Sequence, residues 1–170
     1  MPTKLAVAAA QFLADPQGFR RQWTVPVLLW ETADTSEPSE ELTWSTHAGG
    51  MPQRPEVGDP LLLEVKKGKS ALNALGFGIT VGRTSNNDVV LFDNTVSRFH
   101  AVLSFDEKAG TWRVEDAESQ NGTFVNEVRL APRTTVPLTD GASLRFGAVS
   151  LVFLTPDGLV RMLEQKLVKR

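Results

Sequence analysis

Between residues 60 and 155 short apolar runs alternate with clusters of turn-forming residues. LLLEV (61–65), FGITVG (77–82), DVVLF (88–92), FHAVLSF (99–105), TWRVED (111–116), TFVN (123–126), SLRFG (143–147) and VSLVFL (149–154) are rich in β-branched and aromatic residues and predict strands. Gly68, TSNN (84–87), DEKAG (106–110), SQNG (119–122) and TDG (139–141) punctuate them. Strands about 8–12 residues apart, with no helical period between them, predict an all-β sandwich or barrel. Ile79/Val81, Trp112/Val114 and Leu144/Phe146 alternate with other positions, so these strands offer one face to a core and one to water.

The flanks follow other patterns. KLAVAAAQFLAD (4–15) predicts a short helix, capped by Thr3 and stopped at Asp15-Pro16. Asp15 as cap and Pro16 at the first helical position then predict a second helical turn through Arg20. WTVPVLLW (23–30) is rich in β-formers, and Pro26, lacking an N–H, predicts an edge strand. ETADTSEPSEEL (31–42) is acidic and turn-rich, and predicts a mobile loop. HAGGMPQRPEVGDP (47–60) reads as a Pro/Gly-rich linker, with His47 in solvent. Trp23, Trp30 and Trp44 all fall before this linker, which predicts that part of the segment packs on the main domain. At the other end, Leu159, Met162, Leu163 and Leu167 form one stripe of an amphipathic helix. Asp157 is its predicted cap, and Lys166, Lys169 and Arg170 suit the C-terminal end of its dipole. Docking of this helix on the sandwich is the expectation.

Three parts follow: a mixed N-terminal extension (1–59), a β domain (60–155) and a C-terminal helix (156–170). Charge divides in the same places. The first part has four basic and eight acidic residues, the second ten of each, and the third four basic and two acidic. The net charge of −2 over 170 residues argues against a protein that binds nucleic acid by covering phosphates. With no Cys, thiolate clusters, disulfides and cysteine nucleophiles are excluded. Two histidines, His47 and His100, do not suffice for a multi-histidine metal site. No cofactor is expected. No apolar run reaches the ~20 residues that cross a membrane. Gln11 interrupts the N-terminal apolar stretch too early for a secretory signal, so the expected location is cytoplasmic.

The chemistry concentrates in three loop motifs. They are Gly82-Arg83, opening the loop TSNND; Ser97-Arg98-Phe99-His100; and Ser119-Gln120-Asn121-Gly122-Thr123. Singly each is ordinary: Ser97 can cap a turn, Arg98 can be a surface charge, and Asn-Gly is a common hairpin turn. In this order and spacing, ITVGRTSNNDVVLFDNTVSRFHAVLSF, ESQNGTFVN and TDGASLRFG resemble the forkhead-associated (FHA) domain from about Leu61 to Thr155. The resemblance implies a β-sandwich of about eleven strands that binds phosphothreonine peptides with loops at one end.

The residue types suit that ligand. A phosphothreonine carries about −1.5 to −2 charge and three strong acceptor oxygens. Arg83 supplies a permanently charged planar fork and Ser97 a compact hydroxyl. The family match places both on phosphate oxygens, with Arg98 as a further donor. It assigns Asn121 to the peptide backbone beside the phosphothreonine. Gln120 stands where some members carry Thr or Ser, and its longer amide is a candidate contact. Gly82, Gly122 and His100 are expected to support the site, His100 by bonding the loop that carries Ser97. No acidic orienter or nucleophile-elbow sequence accompanies Ser97 and His100, so a catalytic pair is not expected, and neither is an enzyme.

The expected function is a phosphothreonine-dependent adaptor or regulator in Ser/Thr kinase signalling. The alternative is a phospho-independent assembly module on the same fold, which the Trp-rich first part keeps open. Expected partners are a phosphothreonine-containing protein, with a Ser/Thr kinase upstream, or the chain's own acidic segment. There Thr32, Thr35, Thr43 and Thr46 lie among carboxylates as candidate phosphoacceptors.

Overall fold

The structure, a computed structural model, describes residues 2–31, 55, 58–68 and 78–169. The expectations for the acidic loop, most of the linker, Trp44, His47 and the four threonines fall outside these residues. In chain order the elements are β1 (Thr3–Lys4), α1 (Leu5–Ala14), α2 (Pro16–Gln22), β2 (Val27–Trp30), β3 (Leu61–Glu64), β4 (Ile79–Gly82), β5 (Val89–Val90), β6 (Ala101–Asp106), β7 (Thr111–Asp116), β8 (Thr123–Val125), β9 (Val128–Arg129), β10 (Thr135–Leu138), β11 (Ser143–Phe146), β12 (Val149–Leu154) and α3 (Pro156–Val168). One sheet runs β1-β3-β2-β12-β11-β8-β9 and the other β10-β7-β6-β4-β5. The fold is a two-sheet β-sandwich of twelve strands among the described residues, close to the expected eleven, with the expected C-terminal helix in place.

The alternating positions meet between the sheets. Leu28 and Leu63 join Val81, Leu91, Leu103, Val114, Leu144, Phe146 and Phe153 in the main core. The opposite faces of β2, β3 and β12 are apolar too, and a helical layer covers them. Val27, Leu29, Leu62 and Leu154 pack with Leu5, Ala8 and Phe12 of α1, Phe19 of α2, Trp23, and Leu159, Val160 and Leu163 of α3. Burying one such side chain contributes roughly 1.5–3 kcal/mol. The stripe of α3 therefore closes the end of the sheet that would otherwise expose apolar residues on both sides.

Three local expectations change. β2 is an interior strand: Val27 pairs Glu64 and Leu154, and Leu29 pairs Leu62 and Val152. Pro26 does no harm because it stands before the first ladder residue, where only its carbonyl is needed, to accept the Val65 N–H at 2.8 Å. Thr3 is no helix cap; it pairs Leu62 in β1, and α1 begins after Lys4 with no side-chain cap. Thr155, not Asp157, caps α3: its hydroxyl accepts from the Gly158 N–H at 3.1 Å. Asp15 does cap α2, through Gly18.

The short strands β9 and β10 are not among the predicted ones: β9 is two exposed residues, and in β10 Pro137 separates Val136 from Leu138, which nonetheless join the main core. A two-residue turn joins β8 to β9, with Asn126 and Glu127 at φ of 47° and 67°, the backbone that matches strand twist in a tight hairpin.

Candidate functional site

The loops after β4, β5 and β7 converge at one end of the sandwich, with the β11–β12 turn beside them. Gly82 ends β4 against the Arg98 backbone. A Cβ at Gly82 would overlap the Arg98 carbonyl oxygen and stand 2.6 Å from Asn87 Nδ2. This close approach brings Arg83 beside Ser97. The Arg83 N–H donates to the Ser97 carbonyl at 3.0 Å, and Leu91 N–H to the Gly82 carbonyl at 2.9 Å. Arg83 Nε donates to the Val96 carbonyl at 3.1 Å. That bond fixes the plane of the guanidinium while both terminal nitrogens have no partner among the described residues.

Ser97 is poised in a similar way. Its Oγ accepts from the Gln120 N–H at 3.0 Å, so its own hydrogen is available to an incoming acceptor. Arg83, Asn94, Thr95, Val96, Ser97, Arg98, Phe99 and Gln120 line one open cleft of about 470 Å³. Asn121 follows Gln120 at its edge, with one amide hydrogen on the Thr95 carbonyl at 2.8 Å and its oxygen without a hydrogen-bond partner among the described residues. The Ser97 hydroxyl and the Arg83 cation thus line one cleft, a combination whose chemistry suits an oxyanion.

The support beneath is buried. His100 is completely enclosed. Ser97 N–H donates to its Nδ1 at 3.0 Å, so the ring hydrogen sits on Nε2 and bonds the Gly122 carbonyl at 3.0 Å. One neutral imidazole thereby ties the Ser97 loop to the Asn121 loop. Gly122 is at φ +87°, a backbone that favours glycine. Asp116 organises the same loop, accepting from Ser119 N–H and Oγ–H at 3.0 and 2.5 Å and from Thr123 Oγ–H at 2.6 Å.

Burial pushes the His100 imidazole below its ordinary value near 6.5, against the Gly122 carbonyl and the Asp116 carboxylate, which pull upward. The unfolded chain therefore takes up this proton first as pH falls. Stability from neutral His100 is complete above about pH 6.5 and is lost below it. Burial raises Asp116, but Ser119 and Thr123 outweigh it and hold the carboxyl below its ordinary 3.8, so that loss comes only in stronger acid. The melting temperature is expected to fall between about pH 7.5 and about pH 5.5, and the fall to shrink in His100→Asn. A flat profile across that window would show that His100 does not carry the effect.

Of the residues expected from sequence, Arg83, Ser97, Arg98 and Gln120 share the cleft lining, while Asn121 stands at its margin. Gly82, His100 and Gly122 lie behind it. The Arg98 carbonyl also ties the first loop down, accepting from Asn87 Nδ2 at 2.7 Å and from Thr84 Oγ1 at 3.1 Å. Sequence reasoning missed three supports, Asn87, Thr95 and Asp116. Asn87 read as turn punctuation, and its burial is a tertiary fact. Asp116-x-x-Ser119 has the spacing of a carboxylate that closes a turn, and was the one visible signal.

Fold and cleft together define a β-sandwich module with a polar, arginine-lined cleft at one loop end. The FHA domain model matches residues 79–147. An oxoglutarate dehydrogenase inhibitor of Corynebacterium diphtheriae is 34% identical over 125 residues, covering 72% of this chain and 83% of that protein. The glycogen accumulation regulator GarA of Mycolicibacterium smegmatis is 37% identical over 97 residues, covering 55% of this chain and 58% of that protein. The solution structure of an FHA domain from an Arabidopsis thaliana protein aligns with a TM-score of 0.45 and 30% identity, over 55% of this chain and 73% of that one. The chain belongs to the FHA-domain family.

Proposed function

We propose that this protein is a phosphothreonine-peptide-binding adaptor or regulator in Ser/Thr kinase signalling. One observation carries the reading: Arg83, whose terminal nitrogens have no partner among the described residues, and Ser97, whose hydroxyl hydrogen is available, line the same cleft. A phosphate dianion satisfies both at once. Arg83 pairs with two of its oxygens, Ser97 donates to one, and Asn121 holds the adjoining peptide backbone. Gln120 and Arg98 stand at the rim as further donors. Two similar proteins bear the names of an enzyme inhibitor and a metabolic regulator, which accords with action by binding. The protein acts by binding and not by catalysis, and works in the cytoplasm. Its partner is a phosphothreonine-containing protein or its own acidic segment once phosphorylated, with a kinase upstream.

The phospho-independent alternative drew on the Trp-rich first part. Trp23 and Trp30 are used inside the chain's own cores, which leaves that reading with less to stand on.

Titration of a degenerate phosphothreonine peptide library against its unphosphorylated twin tests the function. Binding is expected for the phosphorylated library alone. Phosphoserine versions should bind roughly fourfold or more weakly, since the lost methyl removes about 0.8 kcal/mol if buried and threonine is stiffer before binding. A Glu substitute should fail, because it brings one charge and two oxygens. Equal binding of both libraries would overturn the reading.

A further inference from the structure

The outer face of the larger sheet is only partly covered. The helical layer lies over β3, β2 and β12. Beyond it β11, β8 and β9 carry one row of outward side chains. Arg145 pairs Phe124 across β11 and β8, and Phe124 pairs Arg129 across β8 and β9. The Arg145 guanidinium stacks on the Phe124 ring at 3.6 Å from its centre, and that of Arg129 lies 5.8 Å from the same centre. Two cations share one ring. Neither has a carboxylate partner among the described residues.

Elsewhere on the surface Arg113, Arg133 and Arg161 each pair with an Asp or Glu. Arg129 and Arg145 instead repel one another across a ring that attracts both. The ring and the Arg145 Nη1 bond to the Gly147 carbonyl, 2.9 Å, hold them ready before any ligand arrives. Such pre-organisation lowers the ordering cost of binding an anion.

The row also continues from the cleft. Gly147 N–H donates to the Gly122 carbonyl at 3.0 Å, and Ala148 N–H to Thr95 Oγ1 at 2.9 Å. Thr95 is the residue that holds Asn121. A Cβ on Gly122 would meet Arg129 Nε at 2.7 Å. Arg129 therefore rests on the back of the Asn121–Gly122 turn, and Arg145 on the turn beside it.

We infer that the Arg145–Phe124–Arg129 row is a second docking surface, for an acidic segment of the same partner whose phosphothreonine occupies the cleft. It rests on the function proposed above and narrows it. The protein selects phosphothreonines accompanied, on the Asn121 side of the site, by a run of Asp or Glu. Charge complementarity picks this occupant: two preset guanidiniums, no acid among the described residues to neutralise them, and a path from the phosphate site that passes Asn121 and Gly147. Guanidinium forks take carboxylates bidentately, so Lys at these positions serves less well.

The experiment uses the full chain and synthetic peptides that share one phosphothreonine core. One peptide carries a short Glu block before the phosphothreonine, one after it, and one carries Gln in both places. Wild type is expected to bind one of the two acidic peptides about fivefold more tightly than the Gln peptide at low salt, the gain of two exposed charge pairs. The double variant Arg129→Gln, Arg145→Gln should lose that gain yet bind the Gln peptide as wild type does. The gain should also fade with added salt while the phosphate contact persists. If neither acidic block helps, or the gain survives in the double variant, the second surface is wrong and the phosphothreonine reading stands. If wild type binds none of the phosphopeptides, both fall. Competition by a single-stranded oligouridine that depends on the same two arginines would assign the row to nucleic acid and overturn it.

Discussion

Replacing Arg83 with Ala is expected to remove most phosphopeptide binding and to leave the fold standing. The guanidinium is held against the cleft by its Nε bond, and its terminal nitrogens have no partner among the described residues. Removing one member of a desolvated charge pair costs ~2–5 kcal/mol, about 30-fold to several thousand-fold in affinity. The fold loses little, because only the Nε bond to the Val96 carbonyl disappears; the backbone bond to Ser97 stays. Ser97→Ala should cost less, on the order of 1.5–3 kcal/mol for a hydrogen bond to a charged group. Arg83→Lys should fall between wild type and Arg83→Ala, since it keeps the charge and loses the fork. Anisotropy titrations with a phosphothreonine peptide measure the affinities, and thermal melts report the fold. An Arg83→Ala protein that binds as wild type does would place the phosphate elsewhere.

His100→Ala is expected to act in the opposite order, on stability first and on affinity as a consequence. The ring is completely buried, and two main-chain groups depend on it, the Ser97 N–H and the Gly122 carbonyl. Each buried group left unmatched costs roughly 1–3 kcal/mol, and the vacated volume adds to that. A chain of this size should lose on the order of 10 °C in melting temperature. Below that temperature the variant should still bind phosphopeptide, more weakly than wild type and more tightly than Arg83→Ala. His100→Asn, which keeps one donor and one acceptor, should recover part of the loss. An unchanged melting temperature with lost binding would make His100 a contact residue.

These two residues differ in how they could be read. Arg83 stands out because an arginine after a strand-ending glycine, ahead of Ser-Arg-x-His and Asn-Gly-Thr, fits a known pattern. Which of its nitrogens face the ligand depends on Val96, thirteen residues on. His100 reads in sequence as half of a possible Ser-His pair or as loop support. Its enclosure and the donor on its Nδ1 separate the two. Asn87 and Asp116 carry as much of the loop framework, yet neither is among the residues the three motifs single out. Their roles come from partners eleven residues away for Asn87 and within seven for Asp116.

By itself the sequence determined the strand alternation, the stop at Asp15-Pro16, the stripe of the last helix and the order of the three loop motifs. All of these depend on neighbours in the chain: a period of two or of 3.6, a missing N–H, a glycine where the backbone must turn. Only the tertiary structure decided that Val27–Trp30 runs inside the larger sheet, that β9 and β10 are strands at all, and that Arg129 and Arg145 share one ring. Strand neighbours are set by which apolar faces find each other across long stretches of chain. Pro26 shows the limit: its local rule holds for a residue within a ladder, and the fold places it one residue outside.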